Sequence, residues 1–516
     1  MRLARPVNAA LRGAALPAVA TLLLLFLFLA SPHGVEAQPA PLAGLDQAVE
    51  AGMEAWQVPG LAVAVVQGDS VLHMQGYGTT RIGGTEPVDA HTNFAIASTS
   101  KAFTTAALAL LVDEERLGWD DPVSRHLPWF ALDDPYVTRE LTIRDLITHR
   151  AGAARLDNLW IASPFDRQEI LERLRHLPQA AGFRDRYGYN NHLYMVAGEV
   201  VGELTGSSWD DVLDDRIFGP LGMGRSTTRT AVVEAWGNVA ESHVRAGGGV
   251  QRVPRRNYDA IGGAGAVWSN VHDLSRWMRM HLNRGTLEGV RILEEERFEE
   301  LYAPQTVIPL DSVARRLHPT NHFYAYALGW RVQDLHGRKL VHHSGSINYT
   351  RTQITLVPDE GIGIAIMANQ SSSNLQLALT HWILDALQDR QPADWSELYL
   401  ELQARSDERS ARSARELEEA RLEGVGPSLP PAEYAGRYED PLFGDVRITN
   451  EEGRLVLHYS PEYVADLEHW HQDKFRANWR RPGAGRTFVH FHLDTRGRVT
   501  AAEVDGFAGF ERVGGR

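Results

Sequence analysis

Residues 94–111 read FAIASTSKAFTTAALALL, a strand-like run passing into a helical one. Phe94 to Ala97 has strand character, after which Phe103, Ala106, Leu110 and Leu111 recur at helical spacing in a run expected to end at Gly118. A strand delivered into a helix puts Ser98 at the helix N-terminus. Lys101, three residues on, returns to the same face one turn later, within reach of the Ser98 hydroxyl. Apolar neighbours lower an amine pKa, so this pairing joins a nucleophile to a base. A capping serine beside a solvated lysine has the same spacing, and the rest of the chain has to separate the two readings.

Composition narrows the chemistry. The chain has 516 residues, 52 Lys plus Arg against 66 Asp plus Glu, a formal net charge of −14 and no cysteine. That length predicts two or three domains, and the acidic balance argues against a nucleic-acid or anionic-membrane surface. Without cysteine there is no disulfide framework, zinc-thiolate site or thiol nucleophile. Only three of the basic residues are lysines, Lys101, Lys339 and Lys474. Arginine cannot give up its proton in a protein, whereas a buried lysine can serve as a base, so a retained lysine is chemically informative.

At the N-terminus, Arg2, Arg5 and Arg12 precede the apolar run from Ala14 to Ala30, and Val35 and Ala37 fit a cleavage site before Gln38. Residues 1–37 therefore read as a signal peptide, and the protein as exported, periplasmic or secreted. The Leu22 to Leu29 run is too apolar for an amphipathic presequence, and an uncleaved anchor is the alternative. No later stretch is long and apolar enough to span a bilayer, so no stable membrane span is expected once the signal is removed.

Residues 38–390 alternate helical and strand periods, as an α/β or α+β body does. From Trp395 to Glu423 the chain is rich in Glu, Arg and Ala with Leu at helical spacing, and Gly426, Pro427, Pro430 and Pro431 then break the pattern. Residues 391–431 thus read as a charged helix and linker. In residues 432–516 short alternating runs (445–449, 455–459, 487–493 and 499–504) separated by turn pairs predict a small antiparallel β-barrel. His469, His471, His490 and His492 form spaced pairs on its strands. With no carboxylate at ligand spacing in the sequence, they read as surface histidines, and no metal or other cofactor is called for.

Two further motifs follow the Ser-x-x-Lys helix in order: Tyr189-Asn190-Asn191 before a helical stretch containing Tyr194 and Gly198, and His343-Ser344-Gly345 before a strand-like run, 352–357. Each alone is weak. Together and in this order the chain resembles the serine penicillin-recognising hydrolases, most closely the branch of class C β-lactamases, D-Ala-D-Ala carboxypeptidases, D-aminopeptidases and esterases. Val58-Pro59-Gly60, LTIRDLITHRAG (141–152), GPLGMG (219–224), GGAGAVWSNVHDL (262–274) and Ala327 to Trp330 carry the same resemblance. It covers roughly residues 42–388, and the C-terminal segment resembles the lipocalin-like barrel appended to some members.

The resemblance implies a β-lactamase-like sandwich with a helical subdomain, and an acyl-enzyme formed on Ser98. It implies Lys101 as proton acceptor, Tyr189 as acid/base toward the leaving group, Asn191 and Gly345 at the substrate, and His343 in the third-motif place. The backbone N–H groups of Ser98 and Ser346 would form the oxyanion hole. β-Lactamases normally carry lysine where His343 stands, and an imidazole is a weaker, pH-dependent cation for a substrate carboxylate. Asn348 stands where many relatives have glycine, but asparagine tolerates left-handed backbone. The expected activity is peptidase or carboxypeptidase action on small or D-residue-containing peptides, ahead of esterase or weak β-lactamase action. The reading of another class is a catalytically silent binder of cell-wall or other ligands. A homo-oligomer is left open.

Overall fold

The computed structural model describes residues 40–514 apart from 247, 372 and 389, so the signal expected over residues 1–37 lies outside the described residues. Helix α1 (Leu45–Trp56) leads into strands β1 (Gly60–Gln67) and β2 (Ser70–Gly78). A two-residue strand, β3 (Phe94–Ala95), and a 3-10 turn, Ala97–Thr99, precede helix α2 (Ser100–Asp113). Short helices connect α2 to helix α3 (His192–Thr205), and strand β4 (Trp268–Ser269), paired with β3, opens on helix α4 (Val271–Leu282). Strands β5 (Thr306–Val307), β6 (Tyr324–Tyr326), β7 (Arg331–Leu335), β8 (Arg338–Ile347), β9 (Thr350–Val357) and β10 (Ile362–Ala368) then run toward helices α5 (Leu375–Leu387) and α6 (Trp395–Glu419).

These strands form one antiparallel sheet in the order β2-β1-β10-β9-β8-β7-β6-β5. Strand β1 shows why both faces are covered. Leu61, Val63 and Val65 belong to a core shared with Val49 of α1 and Leu379 of α5, whereas Ala62, Ala64 and Val66 belong to the core that holds Trp277 and Met278 of α4. A two-residue side-chain period with apolar residues at every position requires a cover on each side. Helix α2 is buried from Ser100 through Leu111, which makes it the central helix of the helical half.

Two expectations shift by a few residues. Ser98 lies in the 3-10 turn before α2 rather than on the helix itself, because Ala97 takes a left-handed φ of 53° and the chain enters the helix obliquely. The helix ends at Asp113, ahead of Gly118: Glu115 adopts φ 57°, and the N–H groups of Glu115 and Arg116 bond back to the carbonyls of Val112 and Leu111. This is a Schellman closure built without glycine.

The C-terminal part is a closed barrel of eight antiparallel strands, each paired with the next: β11 (Gly436–Asp440), β12 (Gly444–Glu451), β13 (Arg454–Ser460), β14 (Tyr463–His471), β15 (Lys474–Trp479), β16 (Arg486–Leu493), β17 (Val499–Val504) and β18 (Gly509–Val513). Inward residues such as Tyr438, Leu457, Phe475, Val489 and Phe491 fill its interior, as in small barrels generally. The barrel is docked on the body. Asn158 Nδ2 donates to the Gly506 carbonyl at 2.8 Å, Arg256 pairs with Glu462 at 3.0 Å, and the Tyr349 hydroxyl donates to the Pro482 carbonyl at 3.3 Å.

Candidate active site

Ser98 sits where three segments are pinned together. The Ile96 N–H donates to the Val267 carbonyl at 3.0 Å, the Val267 N–H to Ser100 Oγ at 3.1 Å, and the Thr350 hydroxyl to the Ala95 carbonyl at 3.0 Å. Gly345 on β8 passes so close that a Cβ there would lie 2.0 Å from the Ile96 carbonyl oxygen, so only glycine fits. Left-handed backbone at Ala97 costs about 1–3 kcal/mol. These contacts hold it and turn Ser98 out, partly exposed, while its neighbours Ala97 and Thr99 are buried.

Lys101 is fully buried. Its Nζ lies 3.2 Å from Ser98 Oγ, 2.7 Å from Asn191 Oδ1 and 2.7 Å from the Ala264 carbonyl. Burial drives its pKa well below the ordinary amine value; Asp157 opposes this, and the charges of Arg155 and Arg331 add to it. A neutral amine has two N–H donors and one lone pair. The two carbonyl oxygens take the donors, which leaves the lone pair toward the Ser98 hydroxyl.

Asn191 is held in turn by its Nδ2, which donates to Asp157 at 2.9 Å. Burial works against the Asp157 charge, but Arg155, the Trp160 indole and Asn191 outweigh it, and the carboxyl stays below its usual range. Tyr189 packs over Lys101, whose Nζ is 4.9 Å from the ring centroid. Burial raises the phenol pKa, a shift that hydrogen bonding with Ser98 and the Arg331 charge only temper, so Tyr189 keeps its proton. Beneath Tyr189 lies His149, 4.1 Å between ring centroids, which accepts the Asn190 N–H on Nδ1 at 3.1 Å.

His343 differs from its sequence reading. It is buried, its Nε2 is 3.0 Å from the Tyr326 hydroxyl and its Nδ1 2.8 Å from the Ser344 carbonyl. Burial first, then the charges of Arg331 and Lys101, push its pKa well below 6.5. Burial thus disfavours the pH-dependent cation expected to meet a carboxylate, and His343 is not among the described residues that line the cavity around Ser98. Ser98, Asn191 and Ser346, by contrast, line one cavity of about 460 Å³. At its edge, Asn348 and Tyr349 take φ of 39° and 68°, so the turn after β8 keeps left-handed geometry without glycine.

Sequence reasoning missed several of these residues. Arg155 and Asp157 stand in no motif, and the Ala264 carbonyl is a backbone group inside GGAG whose role only the fold reveals. Tyr463, Trp479, Arg481 and Phe507 of the barrel also line the cavity, more than 250 residues from Lys101 in the chain, and no local pattern announces that.

Residues 45–388 match the β-lactamase family, and residues 420–513 match a domain of unknown function (DUF3471). The unguisins hydrolase of Aspergillus campestris is 30% identical over 431 residues, 80% of this chain and 78% of that protein. Penicillin-binding protein 4 of Amycolatopsis lactamdurans is 30% identical over 319 residues, 60% of this chain and 81% of that one. Among solved structures, the octameric penicillin-binding protein homologue from Pyrococcus abyssi superposes with a TM-score of 0.62 at 21% identity, covering 91% of this chain and 99% of that one. The D-amino acid amidase of Ochrobactrum anthropi gives 0.55 at 22% identity, over 67% and 98%. The body and the barrel thus recur together in known folds, and the chain belongs to the β-lactamase family of serine hydrolases.

Proposed function

We propose that this protein cleaves amide bonds of small peptides, D-residue-containing ones among them, through an acyl-enzyme on Ser98. The observation that carries this reading is the buried Lys101 amine, with both donors engaged and 3.2 Å from Ser98 Oγ. Lys101 takes the Ser98 proton as Oγ bonds to the substrate carbonyl carbon, and the oxyanion forms against the N–H groups of Ser98 and Ser346. Tyr189, protonated at neutral pH, gives its proton to the leaving nitrogen as the C–N bond breaks, and is reprotonated from Lys101. Water then attacks the ester carbonyl with its proton passing back through the same pair, which frees the acid product and Ser98. Asn191 orients the amine and the substrate, with Asp157 anchoring it, and Gly345 leaves room beside Ser98.

The amide reading draws on the relatives: one is named for hydrolysing unguisins, another is a D-amino acid amidase. Export through the 1–37 segment, a body over 38–390, a charged linker over 391–431 and a barrel module over 432–516 belong to the same proposal. Among the described residues no helix is long and apolar enough to cross a membrane. A panel of L- and D-residue p-nitroanilides, a short-chain ester and a penicillin tests the reading. Turnover of peptide amides above the penicillin is expected, and a protein that turns over none of them is a binder instead.

A further inference from the structure

Strand β16 alternates between the barrel interior and its outer surface. Val489 and Phe491 are buried, so His490 and His492 point outward together, their ring centroids 4.6 Å apart. The neighbouring strand β17 places Glu503 directly opposite His490 in register, and His492 Nε2 lies 3.1 Å from Glu503 Oε2. The carboxylate comes from the next strand and not from the same run, so no carboxylate stands at ligand spacing in the sequence. One ligand atom from each of the three residues falls within 4.8 Å of the others.

We propose that His490, His492 and Glu503 form a binding site for a divalent transition cation of the zinc class on the outer wall of the barrel. Two imidazoles and one carboxylate are a ligand set that zinc takes, with a fourth position left for water. Tetrahedral ligands at about 2.0–2.2 Å from zinc stand about 3.4 Å apart; His492 Nε2 and Glu503 Oε2, at 3.1 Å, are already near that spacing, and the remaining separations, none above 4.8 Å, adjust on exposed torsions. The backbone is already fixed: both strands are paired on each side, and an irregularity in the β16–β17 ladder falls at His492/Leu493, where bulges re-aim side chains. Among the described residues, Glu503 has no ion-pair partner other than His492. The nearest cation in register, Lys474 opposite His490, has its ammonium over the Phe488 ring at 4.5 Å.

The test uses untagged, full-length, chelator-treated protein titrated with Zn2+ by calorimetry, with Co2+ absorption as a spectroscopic reading of an imidazole-carboxylate environment. One metal per chain is expected. Replacing even a residue that only supports a metal ligand weakens affinity about 10–100-fold, so Glu503→Gln and the double change His490→Gln/His492→Gln should each weaken it at least about tenfold. The sequence has 21 histidines, so the variants decide the location. All the changed side chains are exposed, and circular dichroism verifies folding. No saturable binding, or binding unchanged in both variants, overturns the proposal.

Discussion

Lys101 Nζ and Asn191 Oδ1 are 2.7 Å apart, a contact that gives the buried amine a neutral acceptor where an anion would hold it protonated. Asn191→Asp should therefore favour the ammonium form. The base is active when deprotonated, so the acid limb of kcat/KM must move to higher pH and the rate at pH 7 must fall. Because one pKa unit is about 1.36 kcal/mol, a shift of a single unit already costs about tenfold on that limb. The check is a pH–rate profile of both proteins; an unmoved limb would mean another group sets it.

Lys101→Arg puts a permanently charged guanidinium, which cannot accept a proton, in place of the neutral amine. Loss of a general base predicts a fall of at least about 10²-fold in turnover. Lys101→Met, which removes the amine without adding a charge, should be as inactive, with folding checked by thermal melting. Near-normal rates in either would make Lys101 structural.

His343→Lys would place an ammonium in a buried site facing Tyr326, with Arg331 and Lys101 already nearby. We expect a lower thermal midpoint and no gain in penicillin hydrolysis, since position 343 is buried and is not among the described residues lining the cavity around Ser98. A stable variant with improved penicillin kcat/KM would show that position 343 reaches substrate.

Histidines buried neutral make the fold acid-sensitive. Burial lowers His192 to about 4 and His281 and His342 to about 3, and holds His149 and His343 well below 6.5. Below about pH 6.5 the unfolded chain binds protons at these sites that the folded chain does not, so stability is full above that pH and is lost as pH falls toward 4. Melting temperatures from pH 8 to 4 should fall most steeply below 6.5. A flat profile over that range would contradict the burial of these rings.

Much of the site was legible in the sequence because its chemistry is local. The turn-to-helix passage sets Ser98 and Lys101 one turn apart, and the Tyr-Asn and His-Gly pairs begin a helix and close a strand. The barrel was anticipated from runs in four of its eight strands, with His469 and His471 placed on a further one, β14; β11, β15 and β18 were not picked out, and in β15 Lys474, Arg476 and Asn478 alternate with the apolar residues. What was not legible depends on distant segments. His343 could not be recognised as buried without the Tyr326 strand beside it, and Glu503 reaches the β16 histidines only through strand register. Arg481 meets Asn348 at 3.3 Å across 133 residues.

The proposed acyl-enzyme chemistry requires Ser98 to be the group that forms a covalent bond. A fluorophosphonate, followed by intact mass and peptide mapping, tests this directly: only an activated serine forms such an adduct at neutral pH. We predict one adduct per chain, on the peptide containing Ser98, and none in Lys101→Met. An unmodified protein, or an adduct on Ser100 or Ser346, would contradict the account.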